Sequence, residues 1–91
     1  MADSLIQILK AISDESRLKI IKLLLTNSYC VRALSKRIKI SEAAVSQHLQ
    51  VLRKANLVIG IKRGYFMHYE VDRDAIKKIG NSIISLVEKR D

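Results

Sequence analysis

Apolar residues recur at helical spacing along most of this chain and at alternate positions over one stretch after residue 57, a pattern that predicts helices interrupted by a single hairpin. Leu5, Ile8, Leu9 and Ile12 form the first stripe, on a short helix over about residues 4–12 that Asp3 or Ser4 is placed to cap. A second helix runs from a cap at Ser13 or Asp14 to about Thr26. Its wide apolar face is made by Leu18, Ile21 and Leu25, with Ile20 and Leu24 beside them, and Asn27 and Ser28 close it. Tyr29 to Ile38 reads as about two more helical turns, with Val31, Leu34 and Ile38 on one side.

Lys39 and Ile40 leave only a short link, with Ile40 placed to plug the corner, and Ser41 is a good N-cap for the next helix. Two helices joined so tightly, over about residues 30–55, make a helix-turn-helix, the alternative being a plain helical hairpin in an all-α domain. The second helix of the pair is the most informative. At about 100° per residue, Val45, His48, Leu49 and Leu52 share one face, and Ala43, Ser46, Gln47, Gln50 and Lys54 share the opposite one. The outward face holds small residues, amides and a cation, groups suited to lying against nucleic-acid bases and phosphates.

Ala55 and Asn56 end that helix, and the period changes. Leu57 to Lys62 and Phe66 to Val71 read as two strands around Arg63 and Gly64, with Met67, Tyr69 and Val71 alternating with Phe66, His68 and Glu70. A hairpin over about residues 57–71, with a basic tip and directly after a reading helix, is the wing of a winged helix. Lys62 and Arg63 then reach phosphates or a minor groove, unless the tip is a solvated turn whose charges only discourage edge pairing. A last helix, over about residues 73–89, carries a stripe of Ile76, Ile79, Ile83 and Val87, with Gly80 permitting close approach. It comes too late to find a large unoccupied core. It is expected to pair with the first helix and with their copies in a second subunit, giving a two-fold homodimer, unless both helices simply cap their own domain. The expected class is mainly α with a small β-hairpin.

With 91 residues this is a single domain, 1–91, burying roughly 60 to 65% of its unfolded surface, so dimerisation would supplement a modest core. A hydrophobic fraction of 48% argues against disorder. Charge changes the picture more. The net +8 favours a polyanion, either nucleic acid or an acidic membrane surface, and the excess is concentrated in residues 31–72, which hold eight cations against three anions. Lys36, Arg37, Lys39, Arg53 and Lys54 can join the wing cations on phosphates. No run of about 18 apolar residues occurs and the start, MADSLIQ, lacks a leader pattern, so a soluble cytoplasmic protein without membrane contact is expected.

There is no Gly-rich phosphate loop and no Ser, His and Asp spacing that prepares a nucleophile, so neither catalysis nor a cofactor is expected. One cysteine and two well-separated histidines give no metal site. His48, at the buried edge of the reading helix, is read as structural, and His68 as a solvent-facing wing residue. Cys30 cannot form an intrachain disulfide. It is either a small, partly buried residue at a helix start or a thiol sensor, since Arg32 and the helix N-terminus would favour the reactive thiolate.

The chain resembles the ArsR/SmtB family of winged-helix repressors: AISDESRLKIIKLL is similar to the family's second helix, YCVRALSKRIKISEAAVSQHLQVLRKANLV to its helix-turn-helix, and KRGYFMHYEV to its wing. The resemblance implies a homodimer joined through terminal helices and bound to an inverted-repeat operator in double-stranded DNA, and it implies DNA contact at Glu42, Ala43, Ser46 and Gln47. Gln50, Lys54, Lys62 and Arg63 come from the helical wheel and the charge pattern. The departures concern the input. The family's Cys-Val-Cys ligand triplet reads Cys30-Val31-Arg32, and the ligand positions of its C-terminal helix are Arg73, Ala75, Leu86 and Lys89. Its usual proline early in the second helix is Glu15, and its usual arginine after the wing glycine is Tyr65. A sequence-specific DNA-binding repressor without the family's usual metal sites is therefore expected, the rivals being a protein-interaction module and a nonspecific architectural DNA binder.

Overall fold

In the computed structural model of the chain, which describes residues 2–89, local side-chain chemistry sets most of the element boundaries. α1 (Ala2–Ile12) begins ahead of Asp3 and Ser4, so both lie within it rather than before it as caps. α2 (Glu15–Leu24) starts at Asp14, whose carboxylate accepts the Arg17 backbone N–H at 3.0 Å. β1 (Tyr29–Cys30) leads into α3 (Val31–Ile38). α3 stops at Lys39, in the left-handed region at φ 61°, and the Ser35 hydroxyl donates to the Ile40 carbonyl at 2.5 Å, closing the turn. As expected, Ser41 caps α4 (Glu42–Lys54), its hydroxyl accepting the Ala44 N–H at 3.0 Å. α4 ends in a Schellman motif: Asn56 takes φ 60° and donates to the Arg53 carbonyl, while the Leu57 N–H reaches back to the Leu52 carbonyl.

β2 (Val58–Arg63) and β3 (Phe66–Val71) form an antiparallel hairpin with Arg63 opposite Phe66 and Val58 opposite Val71. Gly64, at φ 62°, is the first residue of a two-residue loop, where a side chain would be strained. The Asp72 N–H bonds to the Leu57 carbonyl at 2.9 Å at the base of the hairpin, and the Asp72 carboxylate accepts the Ala75 N–H at 3.1 Å to start α5 (Arg73–Glu88). β1 pairs on the other side of β3, Tyr29 opposite Tyr69 and Cys30 opposite His68, so the sheet order is β1-β3-β2.

The core is a contact of α2, α3, α4 and the inner face of the sheet. Ile20, Leu34, Val45, Leu49, Leu52 and Leu57 are its fully buried side chains, with Ile21, Leu24 and Val58 around them and Ala11 and Ile79 where α1 and α5 join. The result is the expected helix-turn-helix with a β wing, corrected in detail. The helix expected over Tyr29–Ile38 begins only at Val31, because Tyr29 and Cys30 pair with β3. β2 starts one residue later than expected, since the Leu57 N–H is held by the end of α4. Leu18, expected in the buried face of α2, is 43% exposed, and Ile20, Ile21 and Leu24 take the core side instead. A Cβ built at Gly80 meets open space, so no close approach is made there within the chain. Among the described residues, no helix is long and apolar enough to cross a membrane.

Candidate nucleic-acid interface

Ser41 fixes where α4 starts, and Val45, Leu49 and Leu52, all buried, fix which side of it is hidden. Glu42, Ala43, Ser46, Gln47, Gln50 and Lys54 consequently stand on its solvent side, and every one of them is exposed. Lys62 and Arg63, on the neighbouring hairpin, are exposed as well. Between α4 and β3 lies an open hollow of about 450 Å³, lined by Ser46, Leu49, Gln50, Arg53, Lys54 and Tyr69. The Arg53 guanidinium lies 5.9 Å from the centroid of the Tyr69 ring, an arrangement that steadies a cation at the mouth of the hollow. Its lining combines the apolar Leu49 and Tyr69 with one amide, Gln50, and two cations, Arg53 and Lys54, so the cations can hold a phosphate backbone while the amide faces a base edge.

The wing differs from its expected basic character at the tip. Arg63 is drawn back along the sheet by Glu70, at 3.2 Å, while Tyr65 is 99% exposed and Phe66 is 60% exposed. Lys62 has no ion-pair partner among the described residues. Arg37, grouped in the sequence with phosphate-binding cations, lies 4.5 Å over the Tyr29 ring.

Behind the exposed face of α4, His48 is half-buried as expected of a structural histidine. Its Nδ1 accepts from Arg17 Nη1 at 3.2 Å, and Arg17 Nε donates to the Ala11 carbonyl at 2.6 Å. Asp14 sits beside this pair, its carboxyl held below the ordinary carboxylate value chiefly by the Arg17 backbone N–H and further by the Arg17 charge. His68 is a correction: it lies in the central strand rather than facing solvent, half-buried, with Nδ1 buried and without a hydrogen-bond partner among the described residues. Cys30 is half-buried directly across from it at the start of α3, and no side-chain cap is made there. Among the described residues, no three His, Cys, Asp or Glu side chains gather closely enough to hold a metal ion.

Tyr69 and Arg17 are the residues beside the candidate interface that the sequence pattern does not single out. The alternation of β3 does put Tyr69 on the inward side, but its place under Arg53 depends on how the hairpin folds against α4. Arg17 and His48 are joined only in space, with no local spacing to mark the pair.

Residues 14–59 match the family model described as bacterial regulatory protein, arsR family. An uncharacterized HTH-type transcriptional regulator from Methanocaldococcus jannaschii is 38% identical over 74 residues, covering 80% of this chain and 83% of that protein. The transcriptional repressor SdpR of Bacillus subtilis is 27% identical over 92% of this chain and 93% of its own length. The solved structure of an ArsR-like transcriptional regulator from Rhodococcus sp. RHA1 superimposes with a TM-score of 0.89 over 96% of this chain and 82% of that one, at 24% identity, a likeness of fold.

Proposed function

The chain belongs to the arsR family of bacterial regulatory proteins and is a transcriptional regulator of that family, and from this premise we propose that it is a homodimeric repressor that reads an inverted-repeat operator through α4. The observation that carries the proposal is the exposed row Ala43, Ser46, Gln47 and Gln50 on a helix whose opposite side is locked into the core. Gln47 and Gln50 make paired hydrogen bonds to adenine edges, Ala43 and Ser46 let the helix approach closely, and Glu42 stands at its leading end. Arg53, Lys54 and Lys62 bind flanking phosphates, and Arg63 joins them by leaving Glu70.

A second subunit is called for by the apolar surface left on the terminal helices. Ile6 and Leu9 on α1 are exposed, as are Ile83, Ile84, Leu86 and Val87 on α5. Covering both helices with their two-fold copies sets two α4 helices about 34 Å apart, one turn of duplex. Cys30 is the candidate input, a thiol at the first turn of the helix-turn-helix. If Cys30→Ser binds and releases operator like the parent under peroxide and electrophile challenge, that role is excluded.

The test of the function is selection of duplexes from a random pool, followed by binding of the selected duplex and a scrambled one. A dimer making about 6 to 10 phosphate contacts loses roughly 10³ to 10⁵-fold in affinity between about 50 and about 200 mM salt. Retention of the selected duplex over the scrambled one at moderate salt is expected. Equal binding of both would indicate an architectural binder, and no binding of either a protein-interaction module.

A further inference from the structure

Burial of Val45, Leu49 and Leu52 fixes which side of α4 is hidden, and a directional contact made by the same helix sets its rotation about its own axis more finely. Rotation decides where Gln47 and Gln50 point. Among the described residues, one side-chain hydrogen bond joins α4 to another helix, from Arg17 Nη1 to His48 Nδ1 at 3.2 Å. A guanidinium can only donate, so Nδ1 is the acceptor of this bond. The rest of Arg17 is anchored too: Nε donates to the Ala11 carbonyl in the last turn of α1, and its backbone N–H to the Asp14 carboxylate. Asp14 lies 3.9 Å from the same imidazole nitrogen, beyond hydrogen-bond reach. Thus three helices are tied at one point, one residue along α4 from Gln47, and one of them, α1, also packs on α5.

We propose that Arg17 and His48 are a positioning pair that sets the rotation of α4 against α1, so that the geometry of the subunit-facing helix determines how Gln47 and Gln50 meet the bases. The inference rests on the DNA-reading function proposed above. It assigns a specificity role to two side chains that do not touch DNA.

The probe is the duplex that the parent protein selects from a random pool, with a scrambled duplex as reference. His48→Leu keeps a cooperative melt and the parent's oligomeric state but loses about tenfold or more in preference for the selected duplex, with the salt slope unchanged because no phosphate contact is removed. His48→Gln, whose amide oxygen accepts from Arg17, returns to within about threefold of the parent. Arg17→Lys keeps the charge but cannot bridge Ala11 and His48, and it reproduces the loss. The double variant Arg17→Lys/His48→Leu binds no more weakly than either single one, as expected of two residues acting as a unit. Parent-like preference in His48→Leu, or additive losses in the double variant, overturns the pair while leaving the DNA-reading function intact. If His48→Leu fails to fold, Arg17→Lys and His48→Gln decide the matter: equal preference in those two overturns it. A parent that enriches no duplex overturns the reading function and the pair with it.

Discussion

Asp14 shows how much one side chain carries here. It caps α2, flanks the Arg17–His48 bond and has its carboxyl held below the ordinary value of 3.8 by the Arg17 N–H. Because the folded state favours the charged form, the stability it contributes is complete above the unfolded value and is lost as pH falls through the lowered folded one. Asp14→Asn keeps a capping oxygen but cannot titrate. Thermal melts of parent and variant are therefore expected to differ at neutral pH and to converge as pH drops below about 3.8. A gap that stays constant through that acid range would remove Asp14 from the acid response. The same residue illustrates what a sequence makes legible. Asp14 and Ser41 announce themselves as caps because the groups they serve lie three residues on, whereas the Arg17–His48 bond spans 31 residues and has no local signature.

Elements whose patterns extend over several turns or pairs are readable in the chain, and those specified from a distance are not. α4 and the hairpin come from period and turn chemistry, and so does the outward side of α4, since all five residues that the period places there are exposed. β1 does not. Two residues cannot display an alternation, and their strand conformation comes from pairing with Tyr69 and His68, which also moves His68 into the middle of the sheet. Leu18 falls outside the core because it lies at the edge of the apolar arc of α2, on the side of Glu15 and Lys22, while Ile20, Ile21 and Leu24 face inward. Gly80 in α5 gives an element-scale prediction. Open space surrounds it within one chain, so Gly80→Ala should raise the stability of an isolated subunit by about 0.5–1 kcal/mol through helix propensity alone. If α5 packs closely on its copy at Gly80, the same change weakens the dimer. Denaturant melts at low and high protein concentration separate the two effects, and a gain that grows with concentration would contradict close packing at that glycine.

At the scale of the whole molecule, the proposed function joins the exposed face of α4 to the apolar terminal helices, because an inverted repeat is read only by two properly spaced copies. Leu86 is 64% exposed and outside the core, so Leu86→Lys should leave the subunit fold within about 0.5 kcal/mol of the parent. It should shift sedimentation from dimer toward monomer and cut the salt slope of duplex binding by about half, as each subunit then engages phosphates alone. An unchanged sedimentation profile would move the subunit interface elsewhere. The central claim is that α4 reads bases, and Gln47→Ala on the selected duplex tests it most directly. Measured against the parent on duplexes altered one base pair at a time, the variant is expected to lose about 1–3 kcal/mol of discrimination at a single base pair in each half-site, with its salt slope intact. Discrimination identical to the parent at every position would contradict it.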